Sequence, residues 1–144
     1  MMLIAEQFMW IVWFIYGGYF SVFILMILAA VQDYRSREVS NWITVPLFIG
    51  GVVILLLHQN LLLVIVSFIL LFIWHKGWMG GADVKVLIGL LGIWSTAAFI
   101  SIFTIGVQGL ITLLCGRKSS PGLVAIATGV GLTYLWEISI MLLN

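Results

Sequence analysis

The sequence predicts an all-α integral membrane protein of six transmembrane helices, the fourth of them short, with both termini on the extracytoplasmic side. Three observations carry this expectation. The chain is 64% hydrophobic and only 8% charged, where soluble domains carry about 25% charged residues. Its mean hydropathy is +1.28. Its apolar runs have the length of membrane spans, and its basic residues gather in only some of the connections between them. With 144 residues and no connection long enough to hold a soluble domain, residues 1–144 read as a single transmembrane domain.

The first apolar run covers residues 7–32. No basic segment precedes it, Glu6 sits near its start, and it outlasts the roughly 7–15 apolar residues of a signal peptide. It is expected to be a retained helix. Runs 42–57 and 60–75 give the second and third spans, joined by the sequence HQN at 58–60. The run 84–115 would be about 48 Å long as one helix, against a hydrocarbon core of about 30 Å. It is expected to turn near Trp94–Thr96, leaving a fourth helix of about 84–94. Gly89, Gly92, Gly106 and Gly109 would allow close packing there. The last run is 122–143.

Charge favours six crossings over five. Arg35, Arg37, Lys76, Lys85, Arg117 and Lys118 fall in the connections 33–41, 75–85 and 116–120. Only if 84–115 crosses twice do all three face the same side, which the positive-inside rule makes cytoplasmic. The net charge of +1 says nothing about nucleic acid, and the lack of a Lys/Arg cluster speaks against such a partner. The single cysteine, Cys115, excludes an intrachain disulfide and a Cys-x-x-Cys zinc module. It is expected to be a small buried apolar side chain. No His/Cys/Asp spacing suggests a metal, and no cofactor is expected.

Among the acidic residues, Glu6 and Glu137 fall toward the outer leaflet and read as interfacial or solvated carboxylates. His58 reads as solvated, His75 as a helix-end cap, and Gln108 as an interhelical hydrogen bonder. Asp33 and Asp83 are left at similar depth on the cytoplasmic side. Alone, Asp83 reads as a helix N-cap and Asp33 as a solvated residue at the membrane edge. Together, if helices one and four pack on each other, they form a carboxylate pair that cannot easily ionise twice. Such a pair can activate water and protonate a leaving amine. Asp33 would stand at a helix C-terminus and Asp83 at an N-terminus. The helix dipoles then predict Asp33 as the acid and Asp83 as the base.

Three stretches carry a resemblance. DYRSREVSNWIT (33–44) resembles the first catalytic box of type IV prepilin peptidases. GGADVKVL (80–87) resembles their second box, Gly-x-Gly-Asp followed by a hydrophobic residue and Lys. SSPGLVAIATG (119–129) resembles the proline-containing entry to their last helix. Ala82 replaces the usual Gly before the catalytic Asp, as in archaeal preflagellin peptidases, and Ser40 replaces the usual Pro before Asn41. The chain has neither the cysteines nor the length for the cytoplasmic zinc region and methyltransferase function of the large bacterial enzymes.

The resemblance implies a peptidase-only core, as in tight-adherence pilus systems or archaea. It would be an aspartic endopeptidase of the inner (cytoplasmic) membrane, embedded in the lipid bilayer, removing the leader of a type IV prepilin or pseudopilin. It implies Asp33 and Asp83 as the catalytic pair. Gly80 and Gly81 would let the backbone approach the substrate and bend before helix four. Lys85 would hold the Asp loop or meet a substrate carboxylate. Asn41 would cap helix two, and Arg35 and Arg37 would be supporting residues or positive-inside anchors. Two rivals remain: a non-catalytic membrane scaffold of a pilus or secretion assembly, and an ion pathway using the same carboxylates. The second wants deep polar residues, which the spans lack apart from Gln108. Oligomeric state is not legible.

Overall fold

A computed structural model describes residues 2–36, 38–116 and 122–143. Arg37, Arg117, Lys118 and Pro121, which figure in the sequence argument, lie outside them. The described residues form six helices and no strand. These are α1 (Met2–Ser36), α2 (Asn41–His58), α3 (Leu61–His75), α4 (Gly81–Ile93), α5 (Ser95–Leu114) and α6 (Gly122–Leu143). Four segments are long and apolar enough to cross a membrane: Ile15–Ser36, Asn41–His58, Ser95–Leu114 and Gly122–Leu143. At 15 residues, α3 is shorter, and α4 has only 13, a length of about 20 Å.

The shortest helix is the hub. Val84, Val86, Leu87, Ile88, Leu90 and Leu91 of α4 are all fully buried. Its broadest contact is with α2, and it also meets α5, α3 and α6. A helix apolar all round has to be surrounded by others. Its flanks carry the lipid-facing surface instead: Leu56, Leu57, Phe68, Phe103 and Leu135 are exposed.

Glycines set the α2–α4 crossing. A Cβ added at Gly89 would stand 2.7 Å from the Leu47 carbonyl oxygen, and Cβ atoms on Gly51 or Gly92 would strike the facing helix backbone. Apolar side chains gain little from meeting each other in lipid, so close backbone approach supplies the packing. The expectation of close packing thus holds for Gly89 and Gly92. It fails for Gly106 and Gly109, where a Cβ would meet nothing within 4 Å. The α5–α6 seam runs along another face of α5. There Gly129 backs onto Ser101, and the Ser101 and Thr104 hydroxyls donate to the Ile126 and Ala125 carbonyls at 3.2 and 2.8 Å.

The run 84–115 does break where expected, at Trp94 (φ −150°, ψ 76°), although α4 begins three residues earlier than the apolar pattern. Two other expectations change. Cys115 is exposed rather than buried, because it caps the end of α5 beyond its last packed turn. Packing of α1 on α4 is not what joins the two aspartate-bearing helices. The main partner of α1 is α6, which also touches α4.

Candidate active site

Asp33 lies in the last turn of α1 and Asp83 in the first turn of α4. Two successive residues of α6 meet them. The Leu123 backbone N–H donates to Asp33 Oδ2 at 3.2 Å. It is one of the first N–H groups of α6, which have no carbonyl partner within their own helix. Immediately before it, Gly122 presses its backbone against the other carboxyl. A Cβ there would stand 2.6 Å from Asp83 Cγ and 2.7 Å from Oδ1. One turn of α6 therefore touches both acids, and only glycine fits against Asp83.

The Asp83 side also depends on glycine. Gly80 caps α4 in an extended conformation, and its carbonyl accepts from the Val84 N–H at 3.2 Å. A Cβ on Gly80 would lie 3.0 Å from Asp83 Oδ2, and one on Gly81 would lie 3.1 Å from Trp74 Nε1. Asp83 is therefore the third residue of the helix and not its N-cap. Helix winding starts at Gly81 and frees the carboxyl to face α6.

The electrostatics of Asp83 run against its expected role as the base. Asp83 stands ahead of the apolar stretch of α4 and outside the four candidate spans. Burial, and secondarily the nearby Asp33, push its carboxyl up from the usual carboxylate range to about 6. Asp33 faces not only the C-terminal end of its own helix but also the N-terminus of α6, from which it accepts the Leu123 N–H. The dipoles of α1 and α4 taken alone leave out this third helix.

Residues two apart on a helix do not share a face, which explains the rest. Lys85 points away from Asp83 toward α2, and its Nζ donates to Asn41 Oδ1 at 3.2 Å. Asn41 is thus no cap. The N-cap of α2 is Ser40, whose side chain accepts from the Trp42 N–H at 3.3 Å. The Ser40 N–H in turn donates to Gln32 Oε1 at 3.2 Å, tying the start of α2 to the end of α1. Arg35 is exposed, two residues past Asp33. So Asp33, Asp83 and Gly80 come together, Gly81 backs onto Trp74, and Lys85 and Asn41 pair with each other. Gly122, Leu123 and Gln32 were not singled out from the sequence. Its one signal for Gly122 was the Pro-Gly pair at the entry to the last helix. Among the described residues, no three His, Cys, Asp or Glu form a group that could hold a metal.

Two carboxyls from helices far apart in sequence thus meet one glycine-led helix end of an all-α bundle. The comparison with known families names the class: the model of the type IV leader peptidase family matches residues 20–143, and the chain belongs to that family. No curated protein and no solved structure matches the chain.

Proposed function

We propose that the chain is a leader peptidase acting on prepilins or prepilin-like proteins, with Asp33 and Asp83 as its catalytic pair. The observation that carries this is the first turn of α6, which contacts both carboxyls. Family membership supports the peptidase class.

In this reading Asp33 is the base and Asp83 holds the proton. The Leu123 N–H and the α6 N-terminus stabilise ionised Asp33, which takes a proton from water as the water attacks the scissile carbonyl. Asp83 then protonates the departing amide nitrogen. Arg35, Lys76 and Lys85 sit at the aspartate end of the bundle, which makes this end cytoplasmic by the positive-inside rule. Six crossings of the inner (cytoplasmic) membrane with outward termini follow, α4 crossing as a short helix sheathed by the others. The Lys85–Asn41 bond ties the start of α4 to the start of α2.

Co-expression with a prepilin tests the reading, with leader removal followed by gel shift. Wild type is expected to cleave. Asp33→Asn and Asp83→Asn, each still inserted in the membrane, are expected to lose at least about a hundredfold in rate. Cleavage at near wild-type rate by either variant would remove the two-carboxylate mechanism. Failure of wild type on every prepilin offered would favour the non-catalytic scaffold.

A further inference from the structure

A second polar site lies at the opposite end of the bundle. There a cavity of about 380 Å³ opens where all six helices meet. Tyr19 of α1, His58 of α2, Leu63 of α3, Gly92 of α4, Ser95 of α5 and Glu137 of α6 all line it. Its floor is Trp94, only 3% exposed. The Trp94 indole N–H donates to Glu137 Oε1 at 2.8 Å, and Tyr19 stacks on the indole at 4.3 Å between ring centroids. Of the two readings expected for Glu137, interfacial or solvated, the bond from Trp94 fits the interfacial one. Glu137 lies six residues before the end of α6, roughly 9 Å along the axis. A carboxylate at such depth needs a partner.

We infer that this cavity binds a protonated primary amine at the outer membrane surface. The indole supplies one hydrogen bond to Glu137 and no positive charge. Among the described residues the lining contains no Lys or Arg to pair with the carboxylate. An ammonium donates three hydrogen bonds, and the cavity supplies three kinds of acceptor. Glu137 Oε2 is the first, and the Ser95 and Thr96 hydroxyls are the second. The third is His58: its Nδ1 lies 3.1 Å from the Ile54 carbonyl oxygen, a contact that the Nδ1–H tautomer makes and that leaves Nε2 as an acceptor. A metal ion fits less well, since Glu137 and His58 are the only His, Cys, Asp or Glu in the lining. The amine comes either from an ethanolamine lipid headgroup or from a free small molecule. The site is independent of the aspartate pair and does not rest on the peptidase reading.

The full chain purified in detergent tests this by its thermal midpoint. Phosphatidylethanolamine is expected to raise the midpoint and phosphatidylglycerol at equal load to leave it unchanged. Free ethanolamine producing the same rise identifies a soluble amine as sufficient, while a rise with lipid alone identifies the headgroup. Asp33→Asn keeps the response. Glu137→Gln weakens it by about tenfold or more, whereas Trp94→Phe, which frees Oε1, retains it. A purely structural carboxylate would make those two variants alike. His58→Lys places its own ammonium in the cavity and is expected to be more heat-stable and unresponsive to amine. This variant covers the case in which Glu137→Gln does not accumulate. No response to either amine source in wild type, or an undiminished response in Glu137→Gln or His58→Lys, overturns the inference.

Discussion

The two ends of the bundle hold carboxyl groups in opposite ways. At the far end a side chain, the Trp94 indole, binds Glu137 and is itself stacked on Tyr19. At the aspartate end the described contacts are backbone: the Leu123 N–H on Asp33, and the bare Gly122 and Gly80 backbones against Asp83. The first arrangement locks a joint, because Trp94 is the break between α4 and α5. The second fixes where the carboxyls stand through backbone contacts. Glycine there permits a close backbone approach, where a side chain would run into Asp83 itself. The same chemical group is thus an anchor at one end and, in the proposed function, a reagent at the other.

The sharpest way to break this comparison is to give Gly122 a side chain. Gly122→Ala puts a methyl into the Asp83 carboxyl, so either the acid or the end of α6 must move. The expected result is a loss of leader cleavage of at least about a hundredfold, since a displacement of about 1 Å can cost that much. Membrane insertion and heat stability should change far less. Single-turnover cleavage assays on purified protein check it. Activity near wild type would mean that the contact between α6 and Asp83 does not govern catalysis.

The sequence made Asp33 and Asp83 legible because ionisable groups at the ends of apolar runs stand out by cost alone. It made the break at Trp94 legible through helix length and charge sidedness. What it could not show is which third element joins the acids. A backbone N–H has no residue signature, and Gly122 looks like any glycine after a proline. Asn41 departs from its expected capping role for a related reason. Either Ser40 or Asn41 can cap a helix, and the partner that decides, Lys85, lies 44 residues away. Gly106 and Gly109 were misread because small residues at helical spacing identify a face only when the neighbouring helix is known.

Both ends hang from α4, so its seat on α2 should matter to both. Gly89→Ala drives a methyl into the Leu47 carbonyl and is expected to cost about 3 kcal/mol or more, seen as a large fall in thermal midpoint in detergent. Gly106→Ala, with open space at its Cβ position, is the control and should stay within about 0.5 kcal/mol. Similar losses in the two variants would dissolve the distinction between the seams.

A smaller effect separates the electrostatics of the aspartate end from its geometry. Asp83 has its carboxyl raised to about 6, so ionising it opposes the fold. Its favourable contribution is complete below the unfolded pKa and is lost as pH rises through about 6. Wild type should therefore lose about 1–2 kcal/mol relative to Asp83→Asn between pH 5 and pH 8. Paired melting curves at the two pH values read this directly. Asp33→Asn removes the neighbouring charge and should shrink the pH effect without abolishing it, because burial is the larger cause. A pH-independent difference between wild type and Asp83→Asn would show that Asp83 does not titrate against the fold.

The smallest effect lies between the two ends, in the wall that α2 presents to the bundle. Thr44, one turn into α2, is fully buried, and its hydroxyl has no hydrogen-bond partner among the described residues. Helical threonines usually bond back to the carbonyl of the preceding turn, as Thr112, Thr128 and Thr133 do here. A hydroxyl buried without a partner costs the fold its desolvation, and replacing it by a methyl of the same shape removes that cost. Thr44→Val should therefore stabilise the protein by about 1 kcal/mol and leave cleavage unchanged, since the Lys85–Asn41 bond and the glycine seam are untouched. Destabilisation instead would mean that Thr44 has a partner, such as a water held between α2 and α4. The aspartate end would then rest on a polar contact as well as on glycine and backbone.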